Sequence, residues 1–510
     1  MVVDKEMCFF IDMQPSSATA ASNLRLSQRA LPKVRAGVEH PRYDRARLSA
    51  GIVHLGLGAF HRAHQALYTE AALAQGDLRW GIVGVSLRSP ATGHTLQAQD
   101  HLYSVTERHG DTSGTRIVGA VVASLYAPQA LQRVIDAIAD PAVCVITSTV
   151  TEKGYSQHPS TAGLDLDDAD IRHDLANPER PRSTLGILAA GIRRRPRGAP
   201  LSVVCCDNMA GNGDTLRRLL TQFAELSDAD LARRIDDEIA LPNSMVDRIV
   251  PAASAASIDL ATQHLGMRDE AAIVCEPFTQ WVIEDRFAGP RPAWEAGGAL
   301  LTTDVRPYQA MKLRLLNGTH SAMAYAGQLC GLASIADVMA NPAAAAFARG
   351  VMEDLRATVA APPGYDVDRY CRELLHRFEN TALAHLTAQI ATDGTQKIPV
   401  RWLPALRESC SAGIERPCLE RALAMWLHYL RTSRSDHGDV LMISDPGAAA
   451  LADRLRRAGC DAEAVRQALG HAAVFGTTPW PAPLAARLAA YLAVLAHRGA
   501  STLLSMPPGQ

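Results

Sequence analysis

The stretch from Met311 to Gly327 reads MKLRLLNGTHSAMAYAG and sets Lys312, Asn317 and His320 in a mostly apolar run. At about 100° per residue, an α-helix would put Asn317 roughly 140° and His320 roughly 80° round from Lys312. The three then share one broad face, with His320 in the middle. Polar groups gathered there are costly to bury without partners. A lysine in a partly dry pocket gives up its proton more readily, because burial disfavours the charged form. An amide and an imidazole beside it can hydrogen-bond a carbonyl oxygen and stabilise negative charge growing on it. Such a set suits hydride transfer coupled to proton transfer, with no metal. Spacing alone favours three exposed residues on an amphipathic helix, so the chemistry needs support from elsewhere in the chain. Gly318 costs about 1 kcal/mol against alanine in a helix interior, which points to a close approach by substrate or backbone.

Other segments add candidates. CCDNMAGNG sets Asp207 and Asn208 just after a strand-like run, where the ligands of open sheets bind. LPNSMVDRIVP sets Asp247 and Arg248 between two prolines. An Asx turn and a structural ion pair are the competing accounts of these two. GLGAFHRAHQ gives Gly56-x-Gly58-x-x-His61 between a strand and a helix. The dinucleotide fingerprint asks for a third glycine where His61 stands. Gly56, Gly58, Ala59 and Phe60 are therefore candidate cofactor contacts on an incomplete motif. The next strand ends GVSLRSP, with no acid to grip a ribose; Arg88 could meet a 2′-phosphate instead, so the residues leave NAD and NADP both open.

These groups need a scaffold, and the chain is long enough to build one. Its 510 residues allow two to four domains, and 47% hydrophobic with 20% charged residues is ordinary for a soluble globular protein. A formal net charge of -2 gives no reason to expect nucleic acid or an anionic membrane as partner. Ten cysteines without a C-x-x-C pair suit a reduced, cytoplasmic chain without structural zinc. MCFFID lacks a full signal-peptide pattern, and LAAYLAVLA is far short of the roughly 20 residues that span a bilayer.

Residues 1–45 read as a flexible or loosely docked extension. From Gly51, GIVHLGLGAF, a helical stretch and WGIVGVSL form a strand, glycine turn, helix and strand. AVCVITSTVT and LSVVCCDN continue the alternation, which predicts a doubly wound parallel sheet over 46–290. EDRFAGPRPAWEAGG suits a linker. Beyond Pro307 nearly everything has helical periodicity, so 291–510 is expected to be a mostly α-helical substrate and catalytic domain.

Six ordered blocks then carry a family resemblance: IVHLGLGAFHRAHQALYTE, TVTEKGY, CDNMAGNG, PNSMVDRIVP, EPFTQWVIED and MKLRLLNGTHS. The chain resembles the polyol-specific long-chain dehydrogenases, the mannitol dehydrogenase family, and within it the fructuronate reductases. The resemblance implies a Rossmann-like domain, a helical C-terminal domain, NAD as cofactor and no zinc. It implies Lys312 as general acid/base, with Asn317 and His320 polarising the reacting oxygen. Asn208 would add a hydrogen bond, and Asp247 would support lysine and substrate. QIATDGTQKIPVR looks closer to fructuronate reductases, because mannitol dehydrogenases tend to carry an arginine where this chain has Gln389. Lys397 or Arg401 could supply the cation that a sugar acid needs. The expected reaction is reversible reduction of D-fructuronate to D-mannonate by a monomer or weak oligomer. A mannitol or arabinitol dehydrogenase is the nearest alternative, and a non-catalytic nucleotide sensor a more distant one.

Overall fold

The computed structural model describes residues 24–158, 161–383 and 385–507, so an expectation for the first 23 residues lies outside it. Its strands are β1 (Ala50–Leu55), β2 (Gly81–Ser86), β3 (Tyr103–His109), β4 (Thr112–Val118), β5 (Val121–Tyr126) and β6 (Val145–Ser148). They continue with β7 (Leu201–Cys205), β8 (Ile239–Ala240), β9 (Ser244–Asp247), β10 (Ile273–Cys275), β11 (Gln280–Glu284) and β12 (Leu300–Thr302).

Six of these form one sheet in the order β5-β2-β1-β6-β7-β8, every neighbour parallel. Counted along the chain within that sheet, the order is 3-2-1-4-5-6, the doubly wound arrangement that the alternation predicted. Parallel strands are covered on both faces, which explains why β1, β2, β6 and β7 are almost wholly buried apolar runs. The strand order reverses between β1 and β6, and the glycine turn leaves β1 there.

Two smaller sheets flank this one, in the orders β10-β3-β4 and β12-β11-β9. The second places β9, which ends at Asp247, beside β11. The segment expected to be a linker is packed: Trp294 is fully buried and its Nε1 donates to Thr69 Oγ1 at 3.1 Å. The sheet with β12 also straddles the expected boundary at 290. The described part of the N-terminal extension is not loose either. Leu26, Ala30 and Leu31 are buried against Leu102, Ile117 and Leu265, and Leu26 N donates to Arg268 O at 2.9 Å.

After Thr302 the described residues form helices and connections. Their centre is a continuous helical rod from Arg306 to Cys330, surrounded by Pro342–Arg356, Leu403–Ser411 and the almost wholly buried Pro417–Thr432. The rod is α from Arg306 to Met311, π from Lys312 to Gly318 and α again from Thr319 to Cys330. No helix among the described residues is long and apolar enough to cross a membrane.

Gly56 has φ +102°, and a Cβ there would stand 2.2 Å from Thr149 O, at the end of β6. The turn is therefore glycine by both conformation and space. Gly56→Ala should lower the stability to urea unfolding by about 1–3 kcal/mol, the usual scale of stored backbone strain. An unchanged unfolding midpoint would contradict this reading of the turn.

Candidate functional site

The glycine turn lies at the reversal between β1 and β6, where the ligands of open sheets bind. Gly58 leaves open space, its prospective Cβ meeting nothing nearer than Gly56 O at 3.7 Å. Ala59 and Phe60 open the helix Ala59–Ala63, where first-turn amides have no intrahelical acceptor. The missing third glycine has a structural substitute. The ring of His61 lies flat on that of His54 in β1, centroids 3.4 Å apart and planes within 12°. His54 is anchored by Thr147 Oγ1 at 2.7 Å and by Gly56 O at 2.9 Å. Burial pushes His54 down to about 3, so a neutral ring packs helix on strand here. Arg88 is exposed after β2, and its carbonyl accepts from Tyr126 Oη at 3.4 Å.

Asn208 follows β7, and Lys312 comes from the helical rod. Lys312 Nζ donates to Asn208 Oδ1 at 2.8 Å and to Val246 O in β9 at 2.6 Å. Neither acceptor is a carboxylate. Burial pushes the Lys312 ammonium below its ordinary value, while Asp247 pulls the other way and Arg377 and Arg401 add to the lowering. Asn317 and His320 are buried beside it; Asn317 Nδ2 and His320 Nε2 have no partner among the described residues. The His320 ring is set by Phe378, stacked at 5.3 Å, and by His385, edge-on at 4.4 Å. All three groups line a cavity of about 700 Å³, a size suited to a small ligand.

The π segment changes the geometry that an α-helix would give. In an i→i+5 ladder the wider turn brings residue i+5 back toward residue i, so Asn317 returns toward Lys312. Gly318 is explained by packing rather than by substrate: its Cβ would stand 2.8 Å from Leu355 Cδ1. Trp402 Nε1 donates to Gly318 O at 2.9 Å. Arg401 Nη1 donates to Asn317 O at 3.2 Å and to Ser321 Oγ at 2.7 Å. Arg401 thus braces the rod, and burial lowers it to about 10. Lys397 Nζ reaches Thr392 Oγ1 at 3.1 Å and Ile390 O at 3.3 Å, and burial lowers it to about 8. Neither cation belongs to the cavity wall; Gln389 does.

Asp247 lines the cavity, but its carboxylate is committed to a residue that sequence reasoning missed. Arg377 Nη1 and Nη2 donate to Asp247 Oδ2 and Oδ1 at 2.8 and 3.0 Å. The same guanidinium donates to Glu276 Oε2 at 2.8 Å and Oε1 at 2.7 Å, and lies 3.9 Å over the Phe278 ring. Burial raises Asp247, yet Arg377 overrides it and holds the carboxyl below its ordinary value. At Glu276 burial wins and the value is raised. The available signal was Arg377 on the buried face of an otherwise polar helix, beside Val367, Tyr370, Leu374 and Phe378. Arg248 forms its own buried pair with Glu107 at 2.6 Å. Among the described residues no group of three His, Cys, Asp or Glu side chains could hold a metal ion.

Comparison with known proteins identifies the family. Residues 50–296 match the mannitol dehydrogenase Rossmann domain, and residues 304–494 match the mannitol dehydrogenase C-terminal domain. The chain is 43% identical to the uncharacterized oxidoreductase YeiQ of Escherichia coli K12, over 82% of this chain and 86% of that one. It is 38% identical to the D-mannonate oxidoreductase of the same strain, over 91% and 96%. The mannitol 2-dehydrogenase of Pseudomonas fluorescens, solved as a ternary complex with NAD and D-mannitol, superposes with a TM-score of 0.83 at 35% identity. That match covers 94% of this chain and 99% of the other.

Removing Arg377 would leave two buried carboxylates facing each other. Arg377→Ala should cost about 3–5 kcal/mol in equilibrium unfolding near neutral pH. The wild type loses the contribution of Asp247 as pH falls through its depressed value, whereas the variant gains as its unpaired carboxyls protonate. The deficit should therefore shrink toward acid pH. A deficit that stays constant or widens there would contradict the ion-pair account.

Proposed function

The chain belongs to the mannitol dehydrogenase family, and we propose that it is an NAD-dependent oxidoreductase that reduces D-fructuronate to D-mannonate, reversibly. The carrying observation is a buried lysine with no carboxylate touching its Nζ, beside two unpartnered polar nitrogens in the same cavity wall. When bound, the nicotinamide cofactor supplies or accepts the hydride. Gly56, Gly58, Ala59 and Phe60 would hold its phosphates, and Arg88, exposed after β2, would meet its ribose end.

Lys312 is the acid/base of this reading. Its neutral amine takes the hydroxyl proton during oxidation, and its ammonium returns that proton during reduction. Asn208 and the Val246 carbonyl hold Nζ in place. Asn317 Nδ2 and the His320 ring hydrogen-bond the reacting oxygen and stabilise the charge that grows there. Asp247, fixed by Arg377, keeps the protonated lysine accessible by its field rather than by contact.

The acid substrate is favoured by the D-mannonate oxidoreductase among the relatives and by Gln389 in the cavity wall. The mannitol 2-dehydrogenase likeness supports the fructose–mannitol alternative. A screen of NADH and NADPH oxidation with fructuronate and fructose separates them. Fructuronate with NADH should give the highest kcat/KM; a kcat/KM for fructose equal to or above that for fructuronate rejects the acid reading. Measurable NADPH use that Arg88→Glu abolishes would assign Arg88 to the ribose, and identical cofactor kinetics in that variant would make it a bystander.

Lys312→Ala should lower kcat by at least about 10²–10⁴-fold while NADH binding persists. Because Lys312 lies below its ordinary value, oxidation in the wild type should rise with pH as the ammonium deprotonates, and reduction should fall over the same range. Both limbs should vanish in the variant. A variant that keeps most of its turnover, or the same pH limbs, removes Lys312 from the role.

A further inference from the structure

The cavity that holds Lys312, Asn317 and His320 reaches a wall supplied by the other domain, where Arg108 stands near the end of β3. We propose that Arg108 is the cation that binds the substrate's carboxylate. This rests on the sugar-acid reading above and names the group that recognises the acid end.

The wall offers three cationic side chains: Lys312, Arg248 and Arg108. Lys312 is committed to the reacting end. Arg248 is saturated: Nη1 donates to Ala63 O at 2.7 Å, Nη2 to Glu107 Oε1 at 2.6 Å, and Nε to Glu276 O at 3.0 Å. The half-buried Arg108 guanidinium makes no ion pair or hydrogen bond with any described residue, so its fork of donors is open. The sequence-favoured cations, Lys397 and Arg401, have other partners and lie outside the wall.

The backbone that carries Arg108 is held firmly. Asn380, from the helical domain, donates through Nδ2 to Arg108 O at 2.9 Å and accepts from Gly110 N through Oδ1 at 3.1 Å. His109 packs on His376, ring centroids 4.2 Å apart. The strand end is thus latched to the domain that supplies Lys312, while the guanidinium itself stays unspent. In a keto-hexonate, the reacting carbonyl and the carboxylate lie toward opposite ends of a hydroxylated carbon chain. With the carbonyl at Lys312, Asn317 and His320, the carboxylate must be met elsewhere in the cavity. A planar guanidinium can take it bidentately. A neutral ketose brings only a hydroxymethyl group to that place.

The test reads two substrates on one enzyme preparation, so that loss of folded protein cancels. kcat/KM for D-fructuronate and for D-fructose is measured with NADH in wild type, Arg108→Met and Arg108→Lys. Arg108→Met should lower the fructuronate-to-fructose ratio by about tenfold to a hundredfold, with the loss in KM for the acid. Arg108→Lys keeps a point charge without the fork and should recover part of the ratio. If wild type favours fructuronate and Arg108→Met leaves the ratio within twofold, the role of Arg108 is overturned while the sugar-acid reading stands. If wild type favours fructose, both are overturned.

Discussion

One guanidinium holds two buried carboxylates from a different domain, and the cavity is built around that fact. Asp247 ends β9 and Glu276 follows β10, whereas Arg377 comes from the helix Val367–Phe378. Two carboxylates in a dry interior repel each other and would protonate or separate if left alone. With Arg377 between them, Asp247 remains ionised at the cavity wall. An ionised Asp247 in turn moderates the desolvation of Lys312, whose own hydrogen bonds go only to neutral oxygens. The charge state of the lysine is thus set partly from the far side of the domain junction.

The rod that carries Lys312 meets this electrostatic frame through its local geometry. Its first turn packs under β9, and its π turns bring Asn317 back toward the lysine. Arg401 and Trp402 cap the carbonyls of Asn317 and Gly318, so the widened segment has donors of its own. Arg401 thus bonds to the rod itself, and the cationic side chains in the cavity wall are Arg108, Arg248 and Lys312.

The doubly wound sheet was legible because buried parallel strands are written as continuous apolar runs, and each glycine or Asx turn follows such a run. Lys312, Asn317 and His320 were legible because they interrupt an apolar helix. The π turns were not, since an i→i+5 ladder leaves no distinctive periodicity over seven residues. Arg377 was hidden for a different reason: its partners lie 130 and 101 residues away, and an arginine in a charged amphipathic helix resembles any solvated one. The linker and residues 24–45 of the extension are packed where looseness was expected, because Gly, Pro and Ser mark irregular backbone, not unpacked backbone. Trp294 and Leu26 show irregular segments contributing to the core. His61 in place of the third glycine shows the same limit, because flat ring stacking does in this turn what the absence of a side chain does elsewhere.

The π segment also limits how this protein can change in length. Its ladder accommodates one residue more per turn than the α pieces on either side. Deleting a single residue between Leu313 and Leu316 would let the rod relax to a uniform α-helix with Asn317 and His320 on nearly their present bearing from Lys312, because one i→i+5 turn and one i→i+4 turn each carry the chain about once round the axis. The same deletion in the α turns on either side has no such slack and would turn everything beyond it by about 100°. Among descendants of this gene, loss of one residue is therefore compatible with the register of the rod inside LRLL and incompatible with it in the turns that flank that segment.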